Sequence, residues 1–283
     1  LQSGKYTVLD LLGSGGQGVA YVVETIGKDS KIETFVLKEF MLPIYVDRRA
    51  RSQAIERFEK ETQVLSALDQ ESIVKLNDHF IEDHRAYLVL EHIKGKSLRK
   101  LVETDSHIGE EHLQNLVLQM CEILNYLHER ENPIVHRDFT PDNLILNDCG
   151  ILKLIDFNVV HHSSNNRTSA TIVGKHAYMP AEQFAGRPCP QSDLYALGAS
   201  IYFLLTGKDP EAFTQSFLPA DRPDLHPRWS EIISRCTTHE LPDRVQSARE
   251  VALMIECLLE PKKFKSGDSI HAEDQLEQIA VKL

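Results

Sequence analysis

The sequence predicts an α+β fold, and it favours two lobes over one. The chain has 283 residues, which is enough to bury a sizeable core. Alternating apolar residues, which are typical of strands, are concentrated between residues 6 and 91. Helical spacing of apolar residues occurs at 48–68 and again at 113–130, and a long apolar helix is predicted from residue 192. We therefore expect a strand-rich first part and a mainly helical second part.

The composition is that of an ordinary globular protein, with 42% hydrophobic and 26% charged residues. The formal net charge of -11 argues against non-specific nucleic-acid binding, so we expect no nucleic-acid partner. The five cysteines contain no C-x-x-C pair, and their wide spacing is typical of reduced intracellular thiols rather than of a disulfide framework or a zinc site. They are Cys121, Cys149, Cys189, Cys236 and Cys257.

No stretch of the sequence is long and apolar enough to predict a membrane helix. The longest uncharged apolar run, residues 194–207, is shorter than the roughly 18 residues that a spanning helix needs. We therefore expect a cytoplasmic domain without membrane contact of its own. Because the chain begins with Leu1, an anchor outside this segment is left open.

A glycine-rich motif lies between two predicted strands, residues 6–12 and 19–24. Gly13, Gly15 and Gly18 form G-x-G-x-x-G, and glycines let backbone N–H groups approach phosphate oxygens closely. The motif alone also fits a dinucleotide-binding turn or a plain hairpin. Since a strand rather than a helix follows it, we predict a hairpin that covers phosphates.

The next predicted strand contains Lys38, and a helix then follows at 48–68. Two glutamates, Glu59 and Glu61, lie on this helix, whose buried face is predicted from one set of apolar and small residues. The members of that face are Ile55, Phe58, Thr62, Leu65 and Leu68. Further strands are predicted at 72–80 and 85–91.

The stretch from His136 to Asn143 is the chemical centre of the sequence. Asp138 and Asn143 are five positions apart on one loop, and Asp156 follows after a short predicted hairpin. Two carboxylates and a carboxamide in this spacing can hold a substrate hydroxyl and divalent cations around a transferring phosphoryl group.

These motifs resemble the H-R-D-x-x-x-x-N and D-F-G loops of protein kinases, and specifically the eukaryotic-like serine/threonine kinases of bacteria. The resemblance covers about residues 6–260. It implies a bilobal protein-kinase-like fold, with a β-rich N-lobe at 1–92 and a mainly α-helical C-lobe at 93–260. Residues 261–283 are expected to be a C-terminal linker or tail.

The resemblance implies ATP and Mg²⁺ as cofactors, with Mn²⁺ left open. Lys38 is expected to hold the α/β-phosphates, and Glu61, which shares the inward face of its helix with Leu65, is expected to keep Lys38 in place. Glu59 is expected to face solvent. Asn143 and Asp156 are the implied metal ligands, and Asp138 is expected to accept or orient the attacking hydroxyl.

The implied nucleotide-binding residues come from the glycine loop, the neighbouring strands and the lobe connection. Leu90 is the expected gatekeeper, and backbone groups of Glu91 and Ile93 are expected to bind the adenine edge. The full set is Leu12, Gly13, Ser14, Gly15, Gly16, Gln17, Gly18, Val19, Ala20, Val36, Lys38, Leu90, Glu91, Ile93 and Ile145.

The 26 residues that follow Asp156 and end at Glu182 include a polar stretch and resemble an activation segment. Arg137 is expected to sense its phosphorylation, and the arginines at 48, 49, 51 and 57 form either an exposed helix face or a second phosphate receptor. Asp193, Glu182 and Arg244 are expected to be structural, the last two as an ion pair. The candidate phosphoacceptors are Ser163, Ser164, Thr168, Ser169 and Thr171.

The sequence departs from the family pattern at the catalytic centre. Thr140 stands where a lysine is usual, and Lys175 stands where a threonine is usual, so the two residue types are exchanged. Our hypothesis is that Lys175 reaches the γ-phosphate while Thr140 supplies the hydroxyl; the competing interpretation is a solvent-facing lysine and a weakened centre. Asn158 replaces the glycine of D-F-G, which asparagine tolerates because it adopts positive φ. Pro180-Ala181 reverses the usual Ala-Pro order.

Three functions remain at this point. The first is a kinase that transfers the γ-phosphoryl group to Ser/Thr hydroxyls of protein substrates and autophosphorylates in trans by self-association. The second is a nucleotide-binding pseudokinase that serves as a scaffold, against which the retained Asp138 argues. The third, phosphorylation of a small molecule, is disfavoured by the long activation segment.

Overall fold

The computed structural model describes residues 1–15, 18–27, 30–42, 48–104, 108–157, 176–219 and 225–259. Its N-terminal part is an antiparallel five-stranded sheet with the spatial order β1-β2-β3-β5-β4. The strands are β1 (Thr7–Gly15), β2 (Gly18–Ile26), β3 (Ile32–Met41), β4 (Leu76–Glu82) and β5 (Arg85–Glu91). Helix α1 (Arg48–Ser66) lies between β3 and β4 in the chain.

Strand register divides the sheet into two faces. Lys38 lies opposite Ala20 on β2 and Leu88 on β5, so these three side chains share one face. Leu88 and Leu90 on that face belong to the main core, which continues into the C-terminal part. The opposite face carries a smaller apolar cluster of Tyr6, Val23, Leu37, Tyr87 and Val89.

The second part of the structure is mainly helical. A small antiparallel sheet of β6 (Gly95–Ser97), β7 (Leu144–Asn147) and β8 (Leu152–Leu154) lies within it. Its helices are α2 (Leu98–Thr104), α3 (Glu110–His128), α4 (Ala181–Phe184), α5 (Pro190–Thr206), α6 (Arg228–Thr237) and α7 (Ala248–Leu259).

Helices α3 and α5 form the centre of this part. The apolar positions of α3 that the 3.6-residue period selects are buried, Leu113, Leu124 and Leu127 among them. Helix α5 is buried along almost its whole length. At Gly198 a Cβ atom would lie 2.4 Å from Cβ of Cys236, so glycine is needed where α5 and α6 pack closely.

The predicted α+β fold of two parts is confirmed, and one strand prediction needs correction. Residues 72–75 do not extend β4, which begins at Leu76. Instead Ile73 bridges Leu154 of β8, and the N–H of Val74 donates to the Leu154 carbonyl at 3.0 Å. Alternation alone does not distinguish which sheet a strand-like segment joins. The proposed tail helix at 272–283 lies outside the described residues.

The helices of the described residues were searched for membrane spans, and none has the length and apolar character that a bilayer crossing requires.

Candidate active site

The loop that carries Asp138 is folded on itself by hydrogen bonds. The N–H of Thr140 donates to the Asp138 carbonyl at 3.0 Å, and the N–H of Asn143 donates to the Thr140 carbonyl at 3.0 Å. The side-chain amide of Asn143 donates to the Asp138 carbonyl at 2.8 Å. Asp138 and Asn143 are both buried, so the loop holds these two candidate site residues in fixed positions next to each other.

Asp193, in the first turn of α5, holds this loop in place through hydrogen bonds to its backbone. One carboxylate oxygen accepts from the N–H of His136 and the other from the N–H of Arg137, both at 2.8 Å. His128, in the last turn of α3, lies 2.9 Å from the same carboxylate. Arg137 has a φ of 68°, a conformation that is costly for arginine and is maintained by these bonds. The structural prediction for Asp193 thus corresponds to a specific contact.

His136 is a buried part of the same loop. Its ring packs edge-on against Phe157 at a centroid distance of 5.0 Å. Burial lowers the pKa of the His136 imidazole, and the neighbouring carboxylates, of which Asp193 has the largest effect, only partly oppose this. His136 is therefore a neutral packing group at neutral pH.

The hairpin β7–β8 places Asp156 beside Asn143. Leu144 pairs with Leu154 in register, and the N–H of Ile155 donates to the Asn143 carbonyl at 2.9 Å. The turn of this hairpin is closed by Asn147, whose side chain accepts from two backbone N–H groups. Asp156 therefore follows the strand at the point where the loop ends, as the spacing in the sequence predicts.

Lys38 makes an ion pair with Asp156 and thereby connects β3 to the segment that follows β8. Both side chains are largely buried, with 14% and 16% of their surface exposed. Glu61 lies on α1 as predicted, but its side chain is outside what the structure describes. The described partner of Lys38 is thus Asp156, and the expected Lys38–Glu61 pair stays a prediction. Glu59 is exposed, as expected.

The donors around this centre suit a hard divalent cation. Asp156 offers a carboxylate, and Asn143 uses its amide nitrogen within the loop, which leaves its amide oxygen for a ligand. Among the described residues no group of three or more His, Cys, Asp or Glu side chains forms a metal cage. A cation shared between a few protein oxygens and a phosphate ligand fits this donor set better than a fully protein-bound ion does.

The expected adenine pocket lies where β5 leaves the sheet. Val36 is opposite Leu90 in the register, and Ile93 packs at the edge of the main core. The N–H of Glu91 is already bonded to the Lys75 carbonyl at 2.9 Å, which leaves the Glu91 carbonyl for a ligand. The Glu91 carboxylate is fixed by Lys153 of β8 at 2.7 Å. This ion pair connects the end of β5 to β8, the strand that precedes Asp156.

The glycine-rich segment is a hairpin between β1 and β2, as predicted. Gly18 has a φ of 123°, and a Cβ atom there would lie 2.1 Å from the Glu39 carbonyl oxygen, so only glycine fits. Gly13 and Leu12 are exposed on this hairpin. Gly16 and Gln17 lie outside the described residues.

Thr140 is buried, with 3% of its surface exposed. Its hydroxyl is enclosed, and within the described part of the chain it meets no hydrogen-bond partner. A buried hydroxyl without a partner costs about 1–3 kcal/mol, so a partner for it is expected. Lys175, Asn158 and all five candidate phosphoacceptors fall in 158–175, outside the described residues.

Glu182 and Arg244 form the buried ion pair that the sequence predicts. Nη1 of Arg244 donates to Oε1 of Glu182 at 2.7 Å, and Ser192 donates to the same oxygen at 2.9 Å. Arg244 has 2% of its surface exposed and also donates to the carbonyls of Gln191 and Thr238. Burial raises the pKa of the Glu182 carboxyl, but the hydrogen bonds from Arg244 and its neighbours outweigh it, so the net shift is downward.

Replacing Arg244 with methionine should lower the free energy of unfolding by about 3–5 kcal/mol. The substitution removes one partner of a buried pair and leaves the Glu182 carboxylate and several carbonyls without their donor. Urea unfolding at neutral pH measures the loss. Lys60→Met, which breaks the exposed pair with Glu56, is the matched control and should leave the free energy of unfolding almost unchanged.

The same pair sets a pH dependence. The pKa of the Glu182 carboxyl is lowered in the folded protein. The contribution of this carboxylate to the free energy of unfolding is therefore fully present above the ordinary pKa of a glutamate, and it is lost as the pH falls through the lowered pKa of the folded state. The stability difference between wild type and Arg244→Met should therefore narrow in acid. Two results would contradict the assignment of a buried Glu182–Arg244 pair. One is a difference in the free energy of unfolding between wild type and Arg244→Met that stays constant down to acid pH, and the other is a loss for Arg244→Met no larger than the loss for Lys60→Met.

The sequence did not indicate a second polar network beside the catalytic loop. Nε of Arg99 donates to both carboxylate oxygens of Asp142 at 2.9 Å, and Nη2 donates to Asp209 at 2.9 Å. Tyr178 donates to the same Asp209 oxygen at 2.6 Å. The Arg99 guanidinium also lies 4.4 Å from the centroid of the Phe203 ring. The network joins α2, the loop that carries Asp138, the residues just before α4 and the loop after α5.

Two further contacts of the loop were also not predicted. They are the pairing of His128 with Asp193 and the hydrogen bond from Gln183 to the Arg137 carbonyl at 2.6 Å. The basic residue in the last turn of α3 was the one available signal for the first. Nothing in the sequence distinguishes Gln183 from a surface glutamine.

Comparison with known proteins gives one consistent answer. Residues 6–265 match the family described as "Protein kinase domain". The serine/threonine-protein kinase PknA of Nostoc sp. is 31% identical over 274 residues, which are 91% of this chain and 47% of the relative. The serine/threonine-protein kinase PrkC of Bacillus subtilis is 29% identical over 290 residues, which are 96% of this chain and 43% of the relative. The chain thus spans about half the length of these relatives.

A solved structure has the same fold. The kinase domain of PknI from Mycobacterium tuberculosis superimposes with a TM-score of 0.71 at 24% sequence identity. The match covers 90% of this chain and 96% of that one.

Proposed function

The chain belongs to the protein kinase domain family, and from this premise we propose that it transfers the γ-phosphoryl group of ATP to serine and threonine hydroxyls of proteins. One observation carries the proposal: Asn143 contacts Asp138, Lys38 contacts Asp156, and the N–H of Ile155, next to Asp156, donates to the Asn143 carbonyl and holds the two pairs in one centre. A scaffold that only binds nucleotide has no use for the catalytic-loop Asp138, so the pseudokinase alternative is not favoured. The serine/threonine class follows the names of the curated relatives.

The chain's own groups each have a role in this reaction. Asp138 orients the acceptor hydroxyl and accepts its proton, since its position is fixed by the loop and its Asp193 anchor. Lys38 leaves Asp156 to bind the α/β-phosphates, and Glu61 holds it there. The β1–β2 hairpin covers the phosphates with backbone N–H groups, while the face of Ala20, Val36 and Leu90 receives the adenine ring.

The cofactors are ATP and a divalent cation, and we propose Mg²⁺ over Mn²⁺. Asn143 and Asp156 would hold the cation, whose charge would offset the charge that develops on the transferring phosphoryl group. The oxygen-only donor set supports a hard cation.

We also propose that Lys175 contacts the γ-phosphate and that Thr140 supplies the hydroxyl that holds Lys175. The Thr140 hydroxyl is buried and meets no hydrogen-bond partner among the described residues, which supports the assignment of Lys175, outside them, as its partner. In the alternative, Lys175 faces solvent and does not contact this hydroxyl.

Regulation by the activation segment follows from the proposed activity. The acceptors are drawn from Ser163, Ser164, Thr168, Ser169 and Thr171, and Arg137 is the proposed phosphate sensor, assisted by the arginine face of α1. A second copy of the chain would bring one activation segment to the other's active site. We place this domain in the cytoplasm, with lobes at 1–92 and 93–260 and a tail at 261–283.

The proposal is tested by incubating the protein with γ-labelled ATP and Mg²⁺ and by identifying the modified residues. We expect label on serine or threonine of the protein itself, and on a basic serine peptide but not on its tyrosine counterpart. Label only on tyrosine would contradict the serine/threonine assignment. A rise in melting temperature with ATP but no transfer would instead support a nucleotide-binding scaffold.

A further inference from the structure

Arg99, in the first turn of α2, is bonded to two carboxylates at once. Its Nε donates to both oxygens of Asp142 at 2.9 Å, and its Nη2 donates to Asp209, also at 2.9 Å. Only 22% of the Arg99 side chain is exposed. An arginine that is largely covered and bonded on two sides is held more firmly than one in an ordinary surface ion pair.

The position of the Arg99 side chain is fixed by its own helix and by α5. The preceding residue, Leu98, is fully buried, and the Ser97 hydroxyl accepts from the N–H of Lys100 as an N-cap of α2. The guanidinium lies 4.4 Å from the ring centroid of Phe203, a buried residue of α5. Arg99 is thus a rigid support for whatever it binds.

Arg99 holds the loop that carries Asp138 at two consecutive residues. Its backbone N–H donates to the Pro141 carbonyl at 3.1 Å, and its side chain binds the Asp142 carboxylate. The next residue is Asn143, whose amide oxygen is proposed to bind the cation. Because the two residues before Asn143 are fixed by one side chain and one helix, their contacts restrict where Asn143 can lie.

The other described supports from α5 act nearer the start of this loop. Asp193 binds backbone N–H groups at its beginning, and Oγ of Ser200 donates to the Phe139 carbonyl at 3.3 Å. The described hydrogen bonds of the Asp142 carboxylate all come from Arg99. Arg99 therefore adds the support at the end of the loop.

We propose that Arg99 is a positioning residue for phosphoryl transfer, which acts through Asp142 to hold Asn143 where its amide oxygen binds the cation. This inference rests on the proposed kinase function and adds a residue to it from outside the reacting centre. Without Arg99, the carboxylates of Asp142 and Asp209, which bind one guanidinium, would repel each other. The end of the loop would then move and take Asn143 with it.

Arg99→Met tests the positioning role, because methionine keeps an apolar stem and removes the charge. The Mg²⁺ concentration that gives half-maximal transfer should rise about tenfold, and kcat should fall about tenfold, as is typical when a group that orients a metal ligand is removed. A loss of folded protein alone would lower the rate equally at every Mg²⁺ concentration. It would leave the half-maximal concentration unchanged.

Mn²⁺ binding provides a second readout that needs no transfer. In the presence of ADP, the free Mn²⁺ is measured from its electron paramagnetic resonance signal, and Arg99→Met should raise the Kd for Mn²⁺ about tenfold. Asp142→Asn should shift the Kd in the same direction, since it removes the charge that Arg99 binds. The Asp142 side chain is 50% exposed, so this variant should keep its fold.

The double variant shows whether the two residues act together. If Arg99 acts through Asp142, adding Asp142→Asn to Arg99→Met should raise the Kd for Mn²⁺ little further. Lys100→Met is the matched control, because Lys100 is the exposed neighbour on the same helix and carries the same charge. This control should keep kcat and both metal dependences within about twofold of wild type. Melting temperatures check that every variant is folded.

The positioning role would be overturned by unchanged Mg²⁺ and Mn²⁺ dependences in Arg99→Met and Asp142→Asn, whether or not kcat falls. Equal shifts in Lys100→Met would assign the effect to surface charge, and fully additive shifts in the double variant would exclude Asp142 as the link. If wild type transfers no phosphate but Arg99→Met still weakens Mn²⁺ binding, the proposed function fails and the positioning of Asn143 stands. If wild type neither transfers phosphate nor binds Mn²⁺, both fail.

Discussion

Asp156→Asn should lower the rate of phosphoryl transfer by about 10³-fold or more. The substitution removes the negative charge of one proposed cation ligand, and the cation is expected to offset the charge that develops on the transferring phosphoryl group. Asparagine preserves the size of the side chain and tolerates the φ of 63° at this residue, so the loop should keep its conformation. Single-turnover transfer from labelled ATP measures the effect.

Asp148→Asn provides the control for this change. Asp148 is an exposed aspartate in the turn between β7 and β8, eight positions before Asp156 in the same hairpin region. Its replacement should leave the rate within about twofold of wild type, as for most surface substitutions. A loss below about tenfold for Asp156→Asn would mean that this carboxylate is not at the reacting phosphate.

Lys175→Ala should lower kcat on the order of 10²-fold, which is the loss expected for one preorganised charge contact to the transferring group. Thr140→Val should lower kcat in the wild-type background because it removes the hydroxyl that holds Lys175. In the Lys175→Ala background the same change should have little further effect, since the contact is already lost. Steady-state kinetics of wild type, the two single variants and the double variant form a double-mutant cycle that measures the coupling between positions 140 and 175.

Lys100→Ala, at an exposed position on α2, is the control for removing a lysine. A loss under about threefold for Lys175→Ala would contradict the proposed exchange. Fully additive effects of the two substitutions would show that Thr140 and Lys175 act independently. Valine has nearly the shape of threonine, so Thr140→Val should lower the free energy of unfolding by no more than about 0.5–1.5 kcal/mol, the net contribution of one hydrogen bond.

Much of the architecture follows from local patterns in the sequence. The buried face of α1 was predicted from the 3.6-residue period, and Phe58, Thr62 and Leu65 are indeed buried. The β1–β2 hairpin was predicted because a strand rather than a helix follows the glycines. Asp156 was predicted to lie beside Asn143 because a short hairpin, now β7–β8, brings the residues that follow it back to the residues that precede it.

Contacts between distant segments could not be predicted in this way. Arg99, Asp142, Tyr178 and Asp209 come from four separate parts of the chain, and each alone resembles an ordinary surface residue. The alternating pattern at 72–80 predicted one strand, but only the part from Leu76 onward belongs to β4. Ile73 instead pairs with Leu154 of β8, which is an edge strand of the small sheet. Pairing partners depend on tertiary structure, which local alternation does not encode.

The contact between Lys38 and Asp156 was also not predicted, since the two residues are 118 positions apart. The resemblance and the helical spacing indicate Glu61 as the partner of Lys38, and because the Glu61 side chain lies outside what the structure describes, that pair stays a prediction. The exchange of residue types at 140 and 175, by contrast, was visible in the sequence alone.

The most direct test of kinase function compares wild type with Asp138→Asn in initial rates of phosphate transfer to a basic serine peptide. Nucleotide binding is followed in parallel by thermal shift. We predict that the variant keeps its ATP-dependent rise in melting temperature but loses at least about a hundredfold in rate, as removal of a positioned general base does. Equal rates for the two proteins, or no transfer by wild type, would contradict the assignment of this centre to phosphoryl transfer.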